Sequence, residues 1–349
     1  LDPGWLGFGV SASGLAPHIT VVPGFDGDSL VTDLLAILRG RTGVIDDVFK
    51  YLDLTGAHEW RSLLHQPDFS SIVASFPMQE VIDCLASLLS VDDAIDIVGL
   101  GCGTAEREIT VIKKLLARRR TNLRLLLLDI SMNLLGSAIH ASDEFSRAHS
   151  VPVLALLGNF HNLSEYAHLL TGDYPRRRVI TMFGLTFSNL DNEVQFLRRC
   201  MRWVNDQDIL VLDIPAAATE STDPAEIKRR DKTLARKRNG EWHSAAFRFL
   251  TGPLRRNLDR ISDIKIETEL DQASCVIPGS YAVLHSAQVQ LQSGEEKQFV
   301  IGYSKRYVLS KLAAHMDREG WKLVNGFSYG PDNYGLVAVF QRMSDRRKR

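Results

Sequence analysis

This sequence predicts an α/β fold built on a mainly parallel sheet with helices on both faces, and three observations carry the prediction. Between Asp92 and Ile214, short β-branched or leucine-rich runs alternate with longer amphipathic segments, the pattern of successive strand-helix-strand units. One such run enters a loop with glycines at three alternate positions, "DIVGLGCGTAERE", which opens a charged helix. The next run, "LLLLDIS", ends in a carboxylate, Asp129.

Taken in order, strands are expected at Ile95–Leu100, Leu123–Asp129, Pro152–Leu156, Arg178–Phe183 and Ile209–Ile214, with helices between them. In "EREITVIKKLLARRR", Ile109, Ile112, Leu115 and Leu116 share one face opposite the charges, which marks the helix after the glycines. Residues 1–90 are expected to form a mainly helical cap, with "SLVTDLLAILRG" and "MQEVIDCLASLLS" its firmest segments. Residues 91–215 form the core. Past Ile214 the alternation stops, and residues 216–300 are expected to form an inserted α+β lobe, with strands near Lys265–Leu270 and Tyr281–Gln292. Residues 301–349 return to the core sheet through a helix and a hairpin around "GPDN".

Composition narrows the function classes. The 349 residues suffice for a full core, and 45% hydrophobic with 24% charged residues is ordinary globular composition. A net charge of -1 creates no field favouring nucleic acid or an anionic membrane. The basic runs at Arg176–Arg178, Lys228–Lys232 and the terminal "DRRKR" are expected on solvated faces or a tail. The four scattered cysteines form no Cys-x-x-Cys pair, which fits a reducing cytoplasm. The first residues lack the charged start and apolar block of a signal peptide, and the missing initiator Met suggests a trimmed start. "HEW" lacks the second histidine of a His-Glu-x-x-His helix, so no metal is expected.

Gly99, Gly101 and Gly103 let the backbone turn sharply and let a ligand approach without meeting a Cβ. Asp129 is placed to accept the hydroxyls of a ribose, and Ser131 to cap the next helix. Together they point to a nucleoside-containing cofactor; the alternative is that the glycines serve only a tight turn. Thr104 or Glu106 occupies the third glycine's place in the dinucleotide fingerprint, which weighs against NAD or FAD. Cys102 is a small residue in a tight turn or a reactive thiol.

The form "G-x-G-x-G-T" resembles the first motif of class I S-adenosylmethionine-dependent methyltransferases, which have a Rossmann-like sheet. The ordered segments "GLGCGTAER", "LLLLDIS", "VPVLALLGNFHNL", "MFGLTFSNLDNEVQFLRRC", "DILVLDIP" and "QFVIGYSKRYVLSKLAAHMDREGWKLV" resemble the histidine-specific methyltransferase family, which includes the ergothioneine-pathway enzyme. The resemblance covers most of the chain from about Thr20 to the end, strong in the core and faint in the inserted lobe, and implies that the 216–300 lobe binds substrate. It implies S-adenosylmethionine as cofactor, S-adenosylhomocysteine as product, and a small-molecule or peptide-like amine as acceptor. It further implies cofactor contacts from Gly99, Gly101, Gly103, Thr104, Arg107 (to the cofactor carboxylate), Asp129 and Ile130 (at the ribose), Asn159 and Phe160 (at adenine) and Phe183. Asn189 is implied to orient the acceptor, with Tyr51, Phe69, Gly184 and Ser304 beside it. Plainer roles compete: Arg107 as a first-turn surface charge, Asn159 and Phe160 as a helix start, Asn189 as a helix cap.

The chain departs from the family at Asn159, where the family has an aspartate at adenine, and at two positions of the acceptor site. Gly302 stands where the family has a glutamate before Ser304, and Phe69 where it has a tyrosine. Free histidine is therefore not the expected substrate. An O- or C-methyl acceptor, or a catalytically silent partner-binding protein, are the alternative readings, because fold and cofactor motifs do not choose the acceptor atom.

Overall fold

The computed structural model describes residues 18–171, 176–237 and 244–344. The first residues, where no signal peptide is expected, and the terminal "DRRKR" lie outside the described residues. The strands in chain order are β1 (His18–Val21), β2 (Thr42–Val44), β3 (Ile95–Leu100), β4 (Leu123–Asp129), β5 (Val153–Leu157), β6 (Arg177–Met182), β7 (Ile209–Pro215), β8 (Ile261–Asp271), β9 (Tyr281–Leu291), β10 (Glu296–Arg306), β11 (Trp321–Tyr329) and β12 (Gly335–Arg342).

Eight of these form one sheet in the order β1-β5-β4-β3-β6-β7-β12-β11. All its pairings are parallel up to β7; the hairpin β11–β12 then enters antiparallel, β12 lying against β7. Both faces are covered, which is why β3, β4, β6 and β7 are buried almost throughout instead of alternating. Val98, Leu126, Ile180 and Leu210 face one core; Ile97, Leu125, Val179 and Val211 face the other. This is a Rossmann-like α/β fold. Its strand order reverses at β3, the point where such sheets open a crevice at the carboxyl ends of the strands.

At the opposite ends of the strands, the run Arg176–Arg178 is not the expected solvated face. Arg176 and Arg124 both donate to the fully buried Asp96, and Arg178 pairs with the buried Asp208. Three adjacent arginines meet acidic side chains because β6 starts between the beginnings of β3 and β7, which bring Asp93, Asp96 and Asp208. Lys228, Arg229, Arg230 and Lys232 are exposed, as expected.

The second sheet has the order β2-β10-β9-β8. It joins what the sequence separates. Strand β10 crosses position 300 and lies wholly in the lobe sheet, while β2, from the N-terminal segment, pairs parallel with it. Leu34 and Leu38 of the helix Gly27–Arg39 share a core with Phe299, Ile301 and Leu254. The N-terminal segment also supplies β1 to the edge of the main sheet. Strands of three and four residues leave too little pattern to be read in a helical context. No helix among the described residues is long and apolar enough to cross a membrane.

Candidate active site

The loop between β3 and the helix Glu106–Ala117 is shaped by handedness. Gly101, Gly103 and Ala105 have φ of 64°, 56° and 56°, while Cys102 and Thr104 between them do not have positive φ. Alternation of this kind turns successive N–H groups toward one side and forms a concave nest for an anionic group, here at a helix N-terminus. Gly101 also needs its missing Cβ, which would stand 2.9 Å from Thr186 Cγ2 and 3.3 Å from the Phe160 ring. A Cβ on Gly103 would meet nothing within 4 Å, because that side of the loop is open cavity.

Asp129 closes the far side. Its Oδ2 accepts from Gly103 N at 2.7 Å and its Oδ1 from Ser131 N at 2.9 Å. Burial pushes its carboxyl up, and the surrounding backbone N–H groups oppose that rise. Each oxygen keeps a lone pair for a further donor. Ser131 caps the helix Met132–His149 by accepting from Leu134 N, as its sequence position suggests.

Arg107 is not a surface charge. Its guanidinium pairs with Asp213 of β7 and lies 4.1 Å from the centre of the Phe76 ring. Asp213, 1% exposed, also accepts from Gly184 N and from the Tyr329 hydroxyl. The pair thus joins the loop helix, β7, the turn after β6 and the end of β11. At that turn Gly184 and Leu185 both have positive φ, 73° and 67°; for leucine this costs on the order of 1 kcal/mol and marks a backbone held by its surroundings.

These elements enclose a cavity of about 230 Å³. Gly101, Gly103, Thr104, Arg107, Asp129, Ile130, Phe160 and Phe183 line it together with Tyr51, Phe69, Gly184 and Asn189. Three expected residues do not. Gly99 lies within β3, where a Cβ would meet Cys102 and Glu108. Asn159 turns its Oδ1 onto His161 N at 3.0 Å and caps the short turn that follows, which was its plainer role. Ser304 Oγ accepts from Arg306 at 2.6 Å and stands off the wall. Asn189 closes a short helical turn, Thr186–Asn189, and does not cap the next helix, which Asn192 does. The buried Lys305 fixes that turn, donating to Leu190 O, Asp191 O and Glu193 Oε2.

The cavity also holds residues the sequence does not single out. Glu108 is buried under the loop and accepts from Thr181 Oγ1 at 2.9 Å, its carboxyl pushed up to about 7 by burial. Asp46, Asp47, Trp60, His161, Asp213 and Tyr329 complete the wall. A charged residue inside an apolar strand, as in "LVLDIP", was a usable signal for Asp213; Tyr329 and Asp47 carry none. Burial, with Asp129 and Glu108 nearby, holds the Cys102 thiol well above its usual range, so it stays protonated and is a poor nucleophile.

No family model matches this chain, and no curated protein matches it in sequence. Among solved structures, magnesium protoporphyrin IX methyltransferase from Synechocystis aligns with a TM-score of 0.47 at 10% identity, over 84% of this chain and 98% of its own. An S-adenosylmethionine-dependent methyltransferase from Clostridium acetobutylicum gives 0.41 at 12%, over 83% and 98%. The 1,6-didemethyltoxoflavin-N1-methyltransferase of Burkholderia thailandensis gives 0.43 at 9%, over 93% of each chain. Identities this low transfer no residue roles.

Proposed function

We propose that this chain is an S-adenosylmethionine-dependent methyltransferase that N-methylates an amine of an amino-acid-like or peptide-like small molecule other than free histidine. The observation that carries the reading is the Asp129–Gly103 contact: a buried carboxylate at the end of β4, tied to an anion-accepting glycine loop at the end of β3. A ribose and an amino-acid carboxylate are the two groups such a pair would hold. No pyrophosphate is needed, in keeping with the missing third glycine.

The residues present fit that cofactor. Asp129 would hold the ribose, the 101–105 loop and Arg107 the methionine carboxylate, and Phe160 and Ile130 the base. When bound, the cofactor supplies a methyl group on a sulfonium, transferred by in-line displacement. What the chain must then do is let the bound ammonium give up one proton to solvent or a nearby acceptor, align the neutral nitrogen's lone pair, and exclude water. Asn189 is the residue proposed to orient that nitrogen, with Tyr51, Phe69 and Phe183 covering the reaction space. Gly302 supports a changed acceptor, since that position itself offers no side chain to hold an imidazole.

Calorimetric titration with S-adenosylhomocysteine tests the reading. Saturable binding by wild type, lost in Asp129→Ala, is expected, followed by a mass gain of one methyl group on amines screened as acceptors. A folded wild type that binds no S-adenosylhomocysteine overturns it and favours a partner-binding protein.

A further inference from the structure

Resting on that reading, we infer that Asp47 is the carboxylate that selects the acceptor, that Lys50 positions it, and that the acceptor is an arylalkyl amine. Asp47 and Lys50 lie at the two ends of one short turn, Asp47–Lys50. Asp47 lines the active-site cavity and also a second cavity on the lobe side, walled by Ile45, Phe49, Val300, Gly302 and Tyr303. Asp46, His161 and Asn189 line both cavities as well, so Asp47 and Asn189 both border the junction of the two cavities. The proposed nitrogen-orienting amide and an acidic side chain therefore border the same space.

Lys50, only 2% exposed, pairs with Asp47 through Oδ1. The room for its ammonium is made by Gly302: a Cβ there would stand 2.8 Å from Lys50 Nζ and 3.5 Å from Asp47 Oδ1. The glycine thus lets a lysine fold against β10 and fix Asp47 in one orientation. Lys50 holds one oxygen, and the other is assigned to the acceptor's N–H. The nearby Asp46 leaves this junction net negative, which favours a cation over a carboxylate.

The rest of the wall sets the body of the molecule. Tyr51, Trp60 and Phe69 form an aromatic side with Leu64, Ile72 and Val73, and the Tyr51 and Trp60 rings stand 5.8 Å apart, edge to face. An apolar aromatic wall beside a net-negative junction fits a flat apolar body carrying an ammonium group.

The test uses the full chain loaded with S-adenosylhomocysteine, titrated with tryptamine, N-acetyltryptamine and indole-3-acetate. Tryptamine is expected to bind at least about tenfold tighter than either of the others, the size of effect one desolvated charge contact gives. Asp47→Asn should lose that preference while keeping its S-adenosylhomocysteine affinity, and should melt lower because it leaves the buried Lys50 unpaired; Asp47→Glu should recover part of the preference and of the melting temperature, and Lys50→Met should weaken the preference. A wild type that binds S-adenosylhomocysteine but does not prefer tryptamine, or an Asp47→Asn variant that keeps the preference, overturns the inference. Absence of S-adenosylhomocysteine binding overturns the methyltransferase reading instead. The comparison of ligands on wild type needs no variant to fold.

Discussion

Asp129 and Gly103, 26 residues apart in sequence, are joined by a 2.7 Å hydrogen bond from the glycine N–H to the carboxylate. The ends of two neighbouring strands are thereby locked at one spacing, and the carboxylate is pre-oriented before any ligand arrives. Replacing Asp129 by alanine removes two charge-assisted contacts expected at the ribose, each worth about 1.5–3 kcal/mol. S-Adenosylhomocysteine affinity should fall by about 100-fold or more in calorimetry. Asp129→Asn, which keeps one acceptor oxygen, should fall between.

The two loop glycines should respond differently to alanine. At Gly101 the new Cβ meets Thr186 and Phe160 at a left-handed φ, so about 2–3 kcal/mol of stability should be lost. At Gly103 only the left-handed strain applies, about 1 kcal/mol, yet the Cβ enters open cavity. Gly103→Ala should therefore melt close to wild type and still lose S-adenosylhomocysteine binding. Differential scanning fluorimetry beside calorimetry separates the two effects.

Arg107 carries a structural and a binding role that a double substitution can divide. Arg107→Met leaves Asp213 buried without its counter-ion and should cost about 3 kcal/mol. Combining it with Asp213→Asn should restore most of the melting temperature, because no buried charge is then uncompensated. If Arg107 also holds the methionine carboxylate, the double variant should remain at least about tenfold weaker for S-adenosylhomocysteine.

Glu108 predicts a pH slope. Its carboxyl titrates near 7 in the folded chain, raised by burial, against an ordinary value of 4.5. Between those pH values the folded state holds the proton and the unfolded state does not, so stability must fall as pH rises from about 4.5 to 7 and stay lowered above. The full difference is about 3 kcal/mol. Glu108→Gln should remove this slope, which melting temperatures taken from pH 5 to 8 would reveal; an unchanged slope would place the titration elsewhere.

How much of this was legible depended on distance along the chain. Strands β3 to β7 fall within a residue or so of their expected bounds, because each is a run buried on both faces with a helix after it. The cavity's local motif, Gly101 to Arg107 with Asp129, was equally legible, since one loop and the next strand end build it. What the sequence leaves hidden comes from afar: Asp213 meets Arg107 from β7, and Tyr329 reaches Asp213 only because the closing hairpin inserts beside β7. Asp47 escaped for a similar reason, its setting created by Gly302 on β10, far along the chain. Ser304 failed in the other direction: its motif matched, but the arginine two residues later takes its hydroxyl.

One feature of the neck between core and lobe has a bearing on how such a chain diversifies. Ala216 and Tyr307 form a parallel bridge: Tyr307 N donates to Pro215 O, and Ala217 N to Tyr307 O. The segment between them therefore leaves and re-enters the core at a single point, already closed as a loop. Loop-closure entropy grows only with the logarithm of length, about 0.6 kcal/mol per doubling, so residues gained or lost in that segment tax the core very little. A lineage carrying this neck can remodel one wall of its reaction space by insertion and deletion while the strand ends bearing Gly103 and Asp129 are inherited unchanged.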